Sequence, residues 1–204
     1  VIKTKDRWLD YSLLIVFLST LFLTALGNRP FASPDEGRYV EIPREMVETG
    51  EYITPHLNGL KYFEKPPLVY WLEAIPLKLG LNSEFFLRLP IALFAILGCL
   101  GVYAYTQRVY SRAAGYFSAI ILSTSILYFS LARLILLDLV LSVFLSCGLF
   151  TFLVGIKLCT GTERRIHLGL SSACFAGAVL TKGLIGLALP LGIIGIWVIT
   201  LNKW

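Results

Sequence analysis

The chain has 204 residues, of which 56% are hydrophobic and 15% charged, and its mean hydropathy of +0.74 excludes an ordinary soluble domain. Its formal charge of +5 reads as a membrane-topology signal and not as a nucleic-acid footprint. The cysteines Cys99, Cys147, Cys159 and Cys174 show neither CxxC nor Cys/His spacing, which gives no disulfide framework or zinc motif. They read as small hydrophobes in helix packing.

Roughly 20 consecutive apolar residues cross a bilayer as a helix, and about six stretches reach or approach that length. In chain order they are Tyr11–Gly27, Leu89–Thr106, Ala113–Leu131, Ile135–Ile156, Leu168–Leu180 and Ile185–Leu201, with a polar break at Thr181-Lys182-Gly183. The expected fold class is all-α: a polytopic transmembrane protein in which residues 1–204 form one membrane domain. Lys3, Lys5 and Arg7 precede the first span as they would in a secretory signal, but no convincing small-x-small cleavage site closes it. The first span is therefore expected to be retained. The chain begins at Val1, without an initiator Met, as expected of a fragment or of a trimmed chain.

Lys and Arg asymmetry sets the orientation. With the N-terminus inside, Lys3, Lys5, Arg7, Arg108, Arg112, Lys157, Arg164, Arg165 and Lys203 are cytoplasmic, and Arg133 and Lys182 fall in short outer turns. The long loop 28–88 then faces outward. It holds nine of the thirteen acidic residues, a concentration that bilayer residence alone does not require.

Within that loop Ser33-Pro34-Asp35-Glu36 predicts a helix start, with Ser33 as cap and Glu36 completing an S-x-x-E box. Gly50 offers a stop, and Pro43 is expected to kink or interrupt the helix after two turns. Glu64-Lys65-Pro66-Pro67 leads into a second short helix, too brief and too broken by Pro76 to span, with Tyr70 and Trp71 at the headgroup boundary.

Read alone, Asp35 complements a helix dipole, Arg38 and Lys65 suit headgroup contacts, and Glu64 suits a solvated carboxylate or a partner of Lys65. Asp138 sits among aliphatics at the outer end of the fourth span, where an ionisable side chain is a functional candidate by default. A structural alternative pairs it with Arg133, but five residues is a poor helical spacing, which favours a more distant partner. Lys182 is explained by snorkelling. His56 and His167 show no second ligand at useful spacing and are assigned no metal.

The run SPDEGRYVEIPREMVETGEYITPHLNGLKYFEKPPLVYW resembles the first external loop of protein-O-mannosyltransferase-related membrane glycosyltransferases, most nearly the bacterial transferases that place 4-amino-4-deoxy-L-arabinose on lipid A. ARLILLDLVLSVF and LTKGLIGLALP resemble later landmarks of that group in the same order. The resemblance implies the N-terminal part of a GT-C fold, with its active site at the outer face of a bacterial inner membrane. Family members are much longer than this chain, so it stands either as the front half of an enzyme or as a truncated, inactive half.

The implied reaction moves a sugar from undecaprenyl phosphate to lipid A or another extracytoplasmic acceptor, with inversion. By the same resemblance Asp35 and Asp138 are catalytic acids, Lys65 and Arg38 bind the donor phosphate, and Glu64 is associated with a divalent metal ion. The chemistry fits those residue types: cations offset charge on a leaving phosphate, and a carboxylate takes a hydroxyl proton or orients an acceptor already ionised. The alternative is a noncatalytic polyprenyl-phosphate or lipid-binding or transport module. In either case the partners are lipids and the bilayer, with no nucleic acid.

Overall fold

The computed structural model describes residues 4–201, with side chains described from Trp8 onward. Lys3 and Lys203, and the side chains of Lys5 and Arg7, lie outside the described residues. The elements are α1 (Thr4–Leu23), α2 (Asp35–Thr49), β1 (His56–Leu57), β2 (Leu60–Lys61), α3 (Leu68–Lys78), α4 (Glu84–Val109), α5 (Arg112–Thr124), α6 (Ile126–Leu131), α7 (Leu137–Lys157), α8 (Gly161–Lys182) and α9 (Ile185–Thr200). Among the described residues α4 and α7 have both the length and the composition to cross a membrane, while the apolar stretches Trp8–Leu23 and Ile185–Thr200 are shorter.

The expected spans recur as helices with one correction. Ala113–Leu131 is not continuous: Ser125 takes an extended conformation (φ −64°, ψ 133°) and divides it into α5 and the single-turn-scale α6. Ser123, Thr124 and Ser125 all turn their hydroxyls back onto main-chain carbonyls there, local bonding that competes with the helical ladder.

Little hydrophobic drive holds helices together within lipid, so close fit must do it. Helices α7 and α8 show the device. A Cβ on Gly148 would run into the Phe175 ring, and one on Gly177 would lie 2.7 Å from the Phe144 ring. Each helix thus seats a phenyl ring in a glycine notch of the other. At the N-terminal end Asp10, 1% exposed, accepts hydrogen bonds from Tyr103 Oη (2.9 Å), Tyr116 Oη (2.7 Å) and Arg112 Nε (2.7 Å). That network fixes α1 against α4 and α5.

Loop 28–88 contains both expected short helices, and their details differ from the sequence reading. Pro34, not Ser33, occupies the cap position of α2, with no side-chain cap bond. Glu36 does reach back, but to the Ala32 N–H at 2.7 Å. Pro43 does not interrupt α2, which continues to Thr49 and ends at Gly50 (φ 74°); Tyr39, Ile42 and Met46 bury one face and hold it. Between α2 and α3 lies a hairpin the reading missed, β1 pairing antiparallel with β2 through Leu57 and Leu60. Its signal was the Asn58-Gly59 dipeptide, with φ of 53° and 74°, the positive pair that a two-residue hairpin turn requires.

Candidate active site

Asp35 opens α2 with its carboxylate about half exposed, accepting a hydrogen bond from Arg38 Nη2 at 2.8 Å. An exposed pair at this spacing contributes only about 0.3–0.5 kcal/mol, so stability does not account for it. Arg38 also lies over the Tyr39 ring and 3.6 Å from Glu64.

The hairpin delivers the next residues. Glu45 on α2 accepts the Gly59 N–H at 3.1 Å, and the Tyr62 N–H closes onto Pro55 O at 2.8 Å. Tyr62 Oη then donates to Glu64 at 2.7 Å, and Lys65 Nζ stands 3.1 Å from the same carboxylate. The Tyr62 bond and the Lys65 ammonium hold Glu64 below its usual range, while burial pushes the Tyr62 phenol up to about 12. Asp35, Arg38, Glu64 and Lys65 therefore form one connected charge network.

Asp138 approaches from the far side of the chain, through Lys182. It sits in the first turn of α7 and pairs with Lys182, the last residue of α8. The expected alternative, a bridge to Arg133, is not what forms: Arg133 donates to the Phe22 and Thr24 carbonyls. Snorkelling likewise does not describe Lys182, whose ammonium is turned onto Asp138. Gly183 (φ 73°) then breaks the helix and starts the turn into α9. Lys182 and Gly183 line a cavity of about 440 Å³ together with Tyr62, Glu64, Lys65 and Pro66. Two lysines from segments more than a hundred residues apart thus face one space, with a carboxylate beside each.

The reading missed Glu36 and Arg88. Arg88 Nε and Nη2 donate to Glu36 at 2.9 and 3.0 Å, and the remaining donors reach the Leu26, Arg29 and Pro30 carbonyls. Glu36 also accepts the Ile135 N–H at 3.0 Å. Burial pushes its carboxyl up, but Arg88 with the Ala32 and Ile135 N–H groups outweighs that and holds it below the ordinary value. A signal was present: an arginine at the mouth of a long apolar run demands a partner.

Glu64 is engaged by a phenol, an ammonium and a guanidinium. Among the described residues it belongs to no group of three His, Cys, Asp or Glu side chains close enough to share an ion. Those neighbours do not fit a metal centre as they stand.

Residues 9–204 match the family described as dolichyl-phosphate-mannose-protein mannosyltransferase. The undecaprenyl phosphate-alpha-4-amino-4-deoxy-L-arabinose arabinosyl transferase 2 of Sodalis glossinidius is 32% identical over 193 residues, 94% of this chain and 35% of that protein. The corresponding transferase of Aeromonas hydrophila is 32% identical over 198 residues, 96% of this chain and 35% of that one. The chain thus spans about a third of the length of these relatives. ArnT from Cupriavidus metallidurans superposes with a TM-score of 0.89 in the apo state, at 30% identity, covering 99% of this chain and 37% of that one. Its complex with undecaprenyl phosphate also gives 0.89, at 31% identity, covering 97% and 36%. The all-α, multi-pass membrane architecture read from the sequence is the architecture of ArnT, and the chain belongs to the dolichyl-phosphate-mannose-protein mannosyltransferase family.

Proposed function

We propose that this chain carries the donor-side half of a membrane glycosyltransferase site, taking its sugar from a polyprenyl phosphate. The observation that carries the proposal is the single cavity shared by Lys65 and Lys182, with Glu64 and Asp138 as their carboxylate partners. The relatives are named for undecaprenyl phosphate-linked 4-amino-4-deoxy-L-arabinose, and that donor is the one proposed here, with lipid A or another extracytoplasmic acceptor.

In this reading an acceptor oxygen bonds to the sugar anomeric carbon as the bond from that carbon to the phosphate oxygen breaks, and Lys65 and Arg38 offset the charge left on phosphate. Asp35 takes the proton of an acceptor hydroxyl, or orients an acceptor phosphate that is already ionised. Asp138 holds Lys182 at the cavity as a second cation and serves as the second acid. Inversion follows from a single displacement. Glu64, whose partners are cations and a phenol, steadies Lys65 at the cavity, and no step is routed through a metal. The loop 28–88 faces outward from a bacterial inner membrane, with the N-terminus inside, as the Lys and Arg asymmetry favours.

The test is transfer of radiolabelled sugar from purified undecaprenyl phosphate-linked donor to lipid A, run beside undecaprenyl phosphate binding. Binding that weakens in Lys65→Ala, together with transfer that stops in Asp35→Asn, supports the reading. Donor binding with no transfer to any acceptor makes the chain a binding module, and loss of neither function in both variants overturns the site.

A further inference from the structure

The helices that carry Asp138 and Lys182 at one end bring a different group together at the other. Cys159 lies in the turn between α7 and α8, Glu163 in the first turn of α8 and His167 one turn later. The sequence reading assigned His167 no metal for want of a second ligand, and it placed Cys159 among the packing cysteines. The structure places both beside Glu163. One ligand atom from each of Cys159, Glu163 and His167 falls within 4.8 Å of the other two.

This cluster is built around a positive charge. Arg108, in the last turn of α4, places Nη2 2.7 Å from Glu163 Oε1 and 3.4 Å from Cys159 Sγ. His167 Nε2 lies 3.9 Å from the same Glu163 oxygen. The imidazole is held by the close approach of α7 and α8, since a Cβ on Gly155 would sit 3.1 Å from His167 Cβ. Its Nδ1 is buried with no hydrogen-bond partner among the described residues, while Nε2 is the nitrogen turned toward Glu163.

The donor set is one thiol, one imidazole and one carboxylate. Hard ions such as Mg²⁺ and Ca²⁺ prefer all-oxygen shells, whereas sulfur with nitrogen selects Zn²⁺ and its neighbours. We propose that Cys159, Glu163 and His167 form a binding site for a Zn²⁺-class ion, three protein ligands with a fourth position open, and that Arg108 is the resident cation the ion displaces. Arg108 is partly exposed, so the released guanidinium can turn to solvent.

The experiment uses the metal-free purified protein in detergent with Co²⁺ as the probe. A near-ultraviolet thiolate-to-cobalt charge-transfer band is expected, together with visible bands of a tetrahedral ion, both abolished by Zn²⁺ and unaffected by Mg²⁺. Cys159→Ser should remove the charge-transfer band, although Cys99, Cys147 and Cys174 remain. Glu163→Gln, a change at an exposed position, should weaken Co²⁺ binding about tenfold or more, on the scale of lost ligand-shell groups. Arg108→Gln should strengthen it, because the competing charge is gone. A band that persists in Cys159→Ser, the absence of any band in the parent protein, or weaker binding in folded Arg108→Gln each overturns the site.

Discussion

Arg88 and Glu36 meet as a bidentate pair at 2.9 and 3.0 Å, with side-chain exposures of 0% and 1%. Through it the end of α1, the start of α2 and the head of α4 share one set of hydrogen bonds. The Ile135 N–H on Glu36 adds the segment three residues before Asp138. Asp35 and Asp138 lie far apart in sequence, and this pair ties the backbone beside one to the backbone near the other.

Removing one partner leaves a buried uncompensated charge, at a cost of about 3–5 kcal/mol. Arg88→Leu should therefore lower the thermal midpoint markedly, and pairing it with Glu36→Leu should recover part of the loss. The pH dependence follows from the depressed Glu36 carboxyl. Its contribution is present above the ordinary value of 4.5 and is lost as pH falls through the lower folded value. Acidifying the parent protein should bring its melting temperature toward that of Arg88→Leu, measured by thermal unfolding in detergent. Equal midpoints for parent and Arg88→Leu at pH 7 would show that the pair carries no weight.

The helices were legible because long apolar runs have few structural outlets in a membrane. Loop 28–88 stood out because carboxylates and cations have no reason to gather beside a span otherwise. What stayed hidden depends on long-range partners. Asp138 announced a need for a partner without naming Lys182, 44 residues on. Glu36 matched a local capping pattern well enough to conceal its pairing with Arg88, 52 residues away. The Ser125 break escaped because hydroxyl back-bonding leaves the hydropathy of Ala113–Leu131 unchanged.

Glu73 on α3 offers a stability test with the opposite sign. It is 1% exposed, and neither carboxyl oxygen has a hydrogen-bond partner among the described residues. Burial, with the Glu36 charge nearby, raises it well above its ordinary 4.5. A raised acid is least costly below the unfolded value, and its penalty grows as pH climbs from there toward the folded value. Glu73→Leu should therefore stabilise the protein by about 1–3 kcal/mol at pH 4, the cost of a buried unpaired polar group, and by more at pH 8, where the unfolded carboxyl is ionised. Melting curves at the two pH values check this, and a Glu73→Leu protein less stable than the parent at pH 8 would reveal a partner for the carboxyl.

Orientation can be tested at the hairpin tip. In a background without the native cysteines, Asn58→Cys should react with a membrane-impermeant maleimide in intact cells. Arg164→Cys should react only after the membrane is opened. Asn58 sits on the exposed turn between β1 and β2 and Arg164 near the start of α8. Protection of Asn58→Cys in intact cells would place loop 28–88 inside and remove the outward-facing site.

The Asp138–Lys182 pair separates a structural role from a chemical one. The side chains are 55% and 28% exposed, and ion pairs this open are worth about 0–1 kcal/mol. Asp138→Asn and Lys182→Ala should therefore both fold, with melting temperatures close to the parent. If the pair only braces α7 against α8, transfer should survive in either variant, and the charge-swapped Asp138→Lys, Lys182→Asp protein should behave like the parent. If Lys182 presents its ammonium to the donor phosphate, the swap restores the pair but puts the lysine on the wrong helix. Transfer should then remain at least about a hundredfold down, the lower scale for losing one transition-state donor, despite a recovered melting temperature. Because the swap also removes the Asp138 carboxylate, both quantities are measured on the two single variants beside it, and transfer lost in Lys182→Ala but kept in Asp138→Asn assigns the defect to the lysine. Full transfer in the swap would reduce Lys182 to a brace and leave Lys65 as the lysine that acts on the phosphate.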